Sequence, residues 1–339
     1  MEKHNSMTSD VTHIKDEDDL VEFLDKEFSS VFSEGDSILV KMHMGEPGNR
    51  THVTAQLAKK VIDVLESQGC RPFIFDSPVV YSSPRNNEAG YLESAARNGF
   101  TKDSVGVPIV ISNRSETFKG ELMAYELCSE PLEADGVLLL SHFKGHICSG
   151  MGGAIKNVGM GCMSKSTKGA IHTGGEPVYG DGCTECGACV ENCPTDNIRL
   201  EKGRPFFDAS WCPGCSNCII SCPENCISPK TAKFDFLLAE AATIALEKFG
   251  KSYAINVMQN MTQLCDCVAD AGPVLADDSG FVCGADMVSV DIASLDILQR
   301  ETGSKDRFAE YNKKSSYPHV EEAARLMGRD MEVTIKEIG

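Results

Sequence analysis

The chain is short of positive charge, has no long apolar run, and lacks the common phosphate-binding loops. Its 339 residues carry 32 Lys and Arg against 50 Asp and Glu, a net charge of −18. Sequence-independent nucleic-acid binding needs a basic face, and an anionic bilayer repels an acidic surface, so neither nucleic acid nor membrane is an expected partner. No stretch approaches the roughly twenty apolar residues that cross a bilayer. The N-terminal "MEKHNSMTSDVTHIKDEDDL" lacks the apolar centre of a secretory signal, and a cytoplasmic location is expected. Neither G-x-x-x-x-G-K-[ST] nor G-x-G-x-x-G occurs. No flavin motif is found either, which leaves a flavin or other cofactor open.

What the chain has is cysteine, sixteen in all. In a reducing compartment so many thiols point to metal ligation rather than disulfides. "CTECGACVENCP" places Cys183, Cys186, Cys189 and Cys193 at C-x2-C-x2-C-x3-C-P, and "CPGCSNCIISCP" repeats the pattern with Cys212, Cys215, Cys218 and Cys222. This is the bacterial ferredoxin run, in which three cysteines hold one cubane and the fourth ligates the other. Two [4Fe–4S] clusters are expected: Cys183, Cys186, Cys189 and Cys222 for the first, and Cys212, Cys215, Cys218 and Cys193 for the second. A zinc ribbon uses two C-x2-C pairs, not tandem four-cysteine runs. Cys226 is left over and reads as a packed thiol. Two cubanes side by side make a relay, so electron transfer is the expected role.

Around this segment the pattern is α/β. A loose start precedes a helix, "EDDLVEFLDKEFSSVF"; "SILVKMH", "PFIFDS", "VPIVIS" and "DGVLLLSHF" read as strands, alternating with helices at Thr51–Cys70 and over "EAGYLESAARNGF". Short, continuously apolar strands between helices predict a mainly parallel sheet with helices on both faces. After the cysteine-rich stretch the pattern resumes with helix "DFLLAEAATIALEKFG", strand "SYAINVMQ", apolar "MVSVDIASLDILQR", helix "VEEAARLMG" and strand "MEVTIKEI". The expected division is an α/β domain over residues 1–177 and 230–339, interrupted by a small ferredoxin-like 2[4Fe–4S] insert at 178–229.

In open α/β sheets ligands bind beyond the carboxyl ends of the strands. Three polar loops should converge there. The first holds His43, Glu46, Asn49 and Arg50; the second Asp76, Tyr81, Arg85 and Asn86. The third, "HFKGHICSGMGGAIKNVGMGC", holds His142, Lys144, His146 and Lys156, the candidate catalytic residues. Gly150, Gly152 and Gly153 are candidates for close approach of a cofactor backbone-first, and "GGAIKNVGMG" would open a helix whose N-terminus favours an anion. The lysines call for a small anionic substrate, and His142, His146 and His172 would supply protons near their pKa. Cys265 and Cys267 in "LCDC" face the same way if extended, and are candidate ligands of a further metal or cluster; two small core residues is the plainer reading.

"VKMHMGEPGNRT", "FDSPVVYSSPRNNEAGYLESAARNGF", the His142–Cys162 loop, the double ferredoxin run, and "CDC" followed by "SGFVCGADMVSVDIASLD" occur in that order. Together they resemble the iron–sulfur members of the domain-of-unknown-function 362 (DUF362) family, over about Ser37 to Leu298. The resemblance implies an α/β domain interrupted by a ferredoxin-type insert, generally in anaerobic metabolism, with no general assigned reaction. The chain departs from the family's "ASTDPVALD", reading "CGADMVSVD" with Cys283 added. "GHICSGMGGAIK" is also similar to a loop in the N-terminal domain of lactate racemase, which implies a bordering site for a small carboxylate or cofactor; the likeness does not extend to a nickel cofactor. The expected function is an iron–sulfur redox protein, with oxidoreductase activity left open. Its clusters would carry electrons to or from an anion-binding crevice. The alternatives are a ferredoxin-like carrier docking a partner oxidoreductase, or a metal- or cluster-handling accessory protein using Cys265 and Cys267.

Overall fold

The computed structural model describes residues 10–339, so the reading of residues 1–9 as a loose start lies outside the described residues. Eight strands form one sheet: β1 Asp10–Ile14, β2 Ser37–Lys41, β3 Arg71–Asp76, β4 Ile109–Ile111, β5 Gly136–His142, β6 Lys251–Met258, β7 Gly280–Gly284 and β8 Thr334–Ile338. Their order is β8-β1-β7-β6-β5-β2-β3-β4. Only β7 runs against its neighbours, pairing antiparallel with β1 and β6. The sheet is therefore mainly parallel, as the alternation of apolar strands with helices predicts.

Helices cover both faces. The sheet's inward residues alternate sides, so Leu138 and Leu140 of β5 join one core while Val137 and Leu139 join the other. The first core takes α1 (Glu17–Val31), α2 (Ala55–Ser67) and α3 (Glu88–Arg97). The second takes α4 (Ala154–Gly161), α5 (Lys165–Gly174), α6 (Phe234–Lys248), α7 (Met287–Thr302) and α8 (Pro318–Met327). Two of the three helices of the first layer start where a polar side chain replaces a missing backbone partner: Thr54 accepts from Leu57 N–H, and Asn87 from Gly90 N–H.

One local reading changes, and two further segments take definite elements. Residues 10–14 are not part of a loose start but a strand held between β8 and β7, because Val11 and Ile14 find both cores there. "GFVCG" makes β7, and the apolar run after it is helix α7, capped by Asp286 at Val288 and Ser289 N–H. "AYELC" pairs with Ser115–Lys119 as a hairpin outside the main sheet. Strands β6, β7 and β8, which follow the cysteine-rich stretch, complete the same sheet as β2–β5.

Strand order fixes where a ligand can sit. From β2 the chain runs outward through β3 and β4, then returns to β2's other side with β5 and β6. The carboxyl ends of β2, β3, β5 and β6 diverge at that reversal and open a crevice. The cysteine-rich segment leaves and re-enters beside it, with Pro177–Tyr179 paired antiparallel to Ile227–Pro229.

Candidate functional site

The two cysteine runs fold as a pseudo-repeat. Glu185 and Gly214, Gly187 and Ser216, and Asp196 and Asn225 occupy equivalent places in the runs, and all six have positive φ. Short helices Ala188–Glu191 and Asn217–Ile220 follow at matching positions. Two wells result. Cys183, Cys186, Cys189 and Cys222 line one, and Cys193, Cys212, Cys215 and Cys218 the other, the three-plus-one exchange that the spacing predicts. Backbone N–H groups point at the sulfurs, Glu185 N at Cys183 (3.4 Å) and Asn197 N at Cys193 (3.3 Å). Among the described residues no three His, Cys, Asp or Glu side chains gather as a single-ion site. A cubane instead spreads its four cysteines over its corners, and the wells fit that arrangement. Cys226 sits in the first well, 3.5 Å from Cys222 sulfur to sulfur, rather than in a separate packed position.

The crevice is a cavity of about 300 Å³. Lys41 and His43 reach it from β2, Asp76 and Ser77 from β3, and Ser141 and His142 from β5. Lys156 and Asn157 come from α4, Lys168 and His172 from α5, and Cys265, Asp266 and Cys267 from the loop after β6. Its floor is Pro213, which also lines the second cysteine well. His172 Nδ1 donates to the Pro213 carbonyl (2.7 Å), and the Cys148 thiol lies 3.7 Å from the same oxygen. Gly214 lets that loop in: a Cβ there would stand 1.8 Å from the His172 carbonyl oxygen, and its φ of +67° suits glycine.

Buried charges line the walls. Lys41 pairs with Asp76 at 3.0 Å and donates to Asn157. Burial opposes ionisation of Asp76, but Lys41 and Lys168 outweigh it and hold the carboxyl below its usual range. Lys168 donates to Ser77 and to the Ser77 and Pro78 carbonyls; burial brings its pKa down to about 8. Burial likewise works against the charge on Lys156, yet Cys267, Cys265 and Asp266 raise its pKa overall. Its ammonium has no hydrogen-bond or ion-pair partner among the described residues and faces the cavity.

The candidate acids behave differently from expectation. His142 Nδ1 faces Asp266 (2.8 Å) and Nε2 faces the Gln259 carbonyl (2.8 Å), so both nitrogens are engaged by the protein and the ring braces the loop. Lys144 donates to the His142 carbonyl and stands 3.6 Å from Asp266. His146 Nδ1 accepts from Cys148 and Ser149 N–H, which leaves Nε2–H without a partner among the described residues. His172 has the opposite tautomer, with Nε2 as acceptor. Burial, reinforced by Lys156, lowers the pKa of both His146 and His172, so they are neutral rather than poised near neutrality. They offer one fixed donor and one fixed acceptor.

The glycines also take another role. Gly150, Gly152 and Gly153 do not line the crevice. A Cβ on Gly150 would lie 2.1 Å from the Ser315 carbonyl, on Gly152 3.3 Å from Lys144, and on Gly153 2.2 Å from Asp291. They admit protein, not cofactor. The N-terminus of α4 is likewise taken: Asp291 accepts from Ala154 N (2.7 Å) and Ile155 N (2.9 Å), which supplies the negative charge that end of a helix favours.

Of the other sequence candidates, Arg85 is wholly buried and joins three groups, donating to Glu46, His43 (2.6 Å) and Tyr81 (2.5 Å). Asn49 donates to the Val268 carbonyl and Glu46 N–H to the Asp266 carbonyl, so "GEPGN" holds the "CDC" loop. Cys267 lies 3.7 Å from His43 Nε2. Hydrogen bonding from Cys265, then Lys156 and His43, holds its thiol well below the ordinary range against the cost of burial, while Cys265 is pushed well above it. Arg50 and Asn86 are exposed and outside the crevice. Lys41, Ser77 and Lys168 were missed. Lys41 had a signal, a lysine closing the apolar strand "SILVK"; Lys168, within an ordinary helix, had none.

No helix among the described residues is long and apolar enough to cross a membrane. The family model described as "Domain of unknown function (DUF362)" matches residues 38–296. Ferredoxin-1 of Chlorobaculum tepidum is 37% identical over 51 residues, covering 13% of this chain and 82% of that protein. Ferredoxin-1 of Rhodobacter capsulatus is 37% identical over 54 residues, 14% of this chain and 83% of that one. Among solved structures, a Thermotoga maritima protein aligns at TM-score 0.43 and 12% identity, over 71% of this chain and 51% of that one. The lactate racemase apoprotein of Thermoanaerobacterium thermosaccharolyticum aligns at TM-score 0.38 and 12% identity, over 76% and 52%. The chain thus spans about half the length of either structure. With an α/β sheet matched from β2 into α7 and a ferredoxin-type iron–sulfur segment set within it, the chain belongs to the DUF362 family.

Proposed function

We propose that the protein is an iron–sulfur oxidoreductase with two [4Fe–4S] clusters serving a crevice that binds a small anion. Cys183, Cys186, Cys189 and Cys222 would hold one cluster and Cys193, Cys212, Cys215 and Cys218 the other; when bound, they supply one-electron transfer. The observation that carries the reading is Pro213, shared by the second well and the crevice floor. It makes the second well the inner one. The first opens outward, with Cys186 exposed, and faces a redox partner protein.

The crevice residues bind and orient. Lys156 takes the anion, His146 Nε2–H donates to it, and His172 Nε2 accepts a proton or hydrogen bond from it. Lys41 and Lys168 flank the Asp76 carboxylate on the back wall, and Val80, Tyr81 and Val268 form an apolar rim. A plain carrier has no use for a half-buried ammonium, unpartnered among the described residues, beside its inner well. The location is expected to be cytoplasmic.

Anaerobic reconstitution should give about eight iron and eight sulfide per chain. Small carboxylates should then perturb the reduced-cluster EPR signal of the second site, and Lys156→Met should abolish that response with iron content unchanged. One zinc and no labile sulfide would overturn the reading. A cluster signal indifferent to every carboxylate and to Lys156→Met would favour the carrier.

A further inference from the structure

The thiols of Cys265 and Cys267 are the one pair of nucleophilic groups in the crevice that the anion site does not use. They are two residues apart, and the chain turns rather than extends between them, with Val268 N–H bonded to the Cys265 carbonyl (3.3 Å). The turn leaves one residue, Asp266, between the two thiols and sets both against the same cavity. Both line the cavity, but unequally: Cys265 is buried and Cys267 partly exposed. Around Cys267 stand His43, Tyr81 and Lys156, a setting in which a sulfur anion is stabilised.

A bound metal is the obvious alternative for such a pair. The geometry speaks against it, because no third His, Cys, Asp or Glu completes a single-ion set among the described residues. His43 Nε2, the nearest imidazole nitrogen, is already engaged by Arg85 at 2.6 Å. Two adjacent thiols without a third ligand are instead a two-electron couple. Closing so short a ring is strained, and strained disulfides are the reducible, reactive ones.

We propose that Cys265 and Cys267 form a thiol–disulfide centre within the crevice, with Cys267 attacking a small anionic disulfide and Cys265 resolving it. The proposal rests on the redox reading of the crevice and names its substrate class. The Cys267 thiolate attacks one sulfur of the substrate, the substrate's S–S bond breaks, and one half leaves as a thiolate. Cys265 then attacks the Cys267 sulfur, and the second half leaves with the Cys265 proton as a thiol. The Cys265–Cys267 disulfide has formed, and two electrons have passed to the substrate. Reopening it takes two protons and two electrons, one electron from each of two reduced iron–sulfur centres, which is the number that two cubanes hold. Lys156 draws in the anion, and burial keeps Cys265 from reacting first.

The test uses the reconstituted full chain, kept anaerobic, with 5,5′-dithiobis(2-nitrobenzoate) as the anionic disulfide and 4,4′-dithiodipyridine as a neutral one. After acid quenching and alkylation, the peptide spanning Cys265 and Cys267 is weighed. The expected product is the internal disulfide, with two thiols released per chain from this peptide. Cys265→Ser should stop at a stable mixed disulfide on Cys267, and Cys267→Ser should release nothing from this peptide. Lys156→Met should slow the anionic probe about tenfold, and more than the neutral one. Separate mixed disulfides on both cysteines, first attack by Cys265, or an unreactive pair in cluster-loaded wild-type protein would overturn the proposal. Cluster absorbance and its bleaching by dithionite are followed throughout. Their absence from the wild type would refute the redox reading instead, and the thiol products still decide the dithiol chemistry.

Discussion

Asp291 carries a prediction whose sign and size both follow from its surroundings. The carboxylate is fully buried, and three N–H donors converge on it: Ala154 N and Asn256 Nδ2 on one oxygen, each at 2.7 Å, and Ile155 N on the other at 2.9 Å. Burial nevertheless raises its pKa to about 6, from 3.8 in an exposed chain, with the three hydrogen bonds holding the rise in check. A carboxyl that binds its proton more tightly when folded stabilises the protein fully below its unfolded pKa. It loses that contribution as pH rises through the folded value. Two units correspond to about 3 kcal/mol, of which roughly half falls between about pH 5 and 7.5. Asp291→Asn removes this titration, but it also turns an amide N–H toward a backbone N–H, at a cost of about 1–3 kcal/mol that does not vary with pH. Urea denaturation of both proteins across that range isolates the site, because Asp76 and Asp266 titrate in each. The stability of wild type minus variant should fall by about 1.5 kcal/mol from the acid to the alkaline end. A flat difference, or one that rises with pH, would refute the reasoning. The same change should loosen the start of α4, and with it Lys156 and Asn157.

Three further outcomes are expected. Lys314 and Asp235 form a wholly buried pair at 2.6 Å, and Lys314 also donates to the Cys215 carbonyl; Lys314→Met should cost about 3–5 kcal/mol, and adding Asp235→Leu should recover most of it in thermal or urea melts. Gly214→Ala should spoil the second cysteine well, since its Cβ would strike the His172 carbonyl, and roughly halve the iron bound per chain while the first well still loads. Cys222→Ser should damage the site of Cys183, Cys186 and Cys189 rather than that of its own run, seen as selective loss of one of two EPR signals; loss of the other signal would refute the three-plus-one exchange.

Much of the fold was legible because it is written in local patterns. "DGVLLLSHF" is apolar at every position a strand buried on both faces requires, and Thr54 and Asn87 mark helix starts by their own chemistry. "DVTHI" was not legible: five residues with three polar ones become a strand only because β7 and β8 wait on either side. The cysteine spacing was enough to divide eight cysteines between two wells, since such short runs leave the chain few ways to fold. In the crevice, residue types were informative and roles were not. The sequence put His142, Lys144, His146 and Lys156 in one loop, but hydrogen-bond partners from Asp266, Gln259 and Ser149 decide that His142 braces, His146 donates, and Lys156 alone stays unpaired.

By itself, then, the sequence determined the class of fold, the grouping of eight cysteines into two sets and the set of loops that meet, all properties of near neighbours along the chain. Tertiary structure alone decided that the glycines of "GMGG" admit Ser315, Lys144 and Asp291, and that Pro213 joins the second well to the crevice. It also decided that "CDC" turns rather than extends, with both thiols lining the crevice beside His43 and Lys156. Those contacts span up to about 224 residues of chain, and which group satisfies a buried donor or charge depends on what the fold brings beside it.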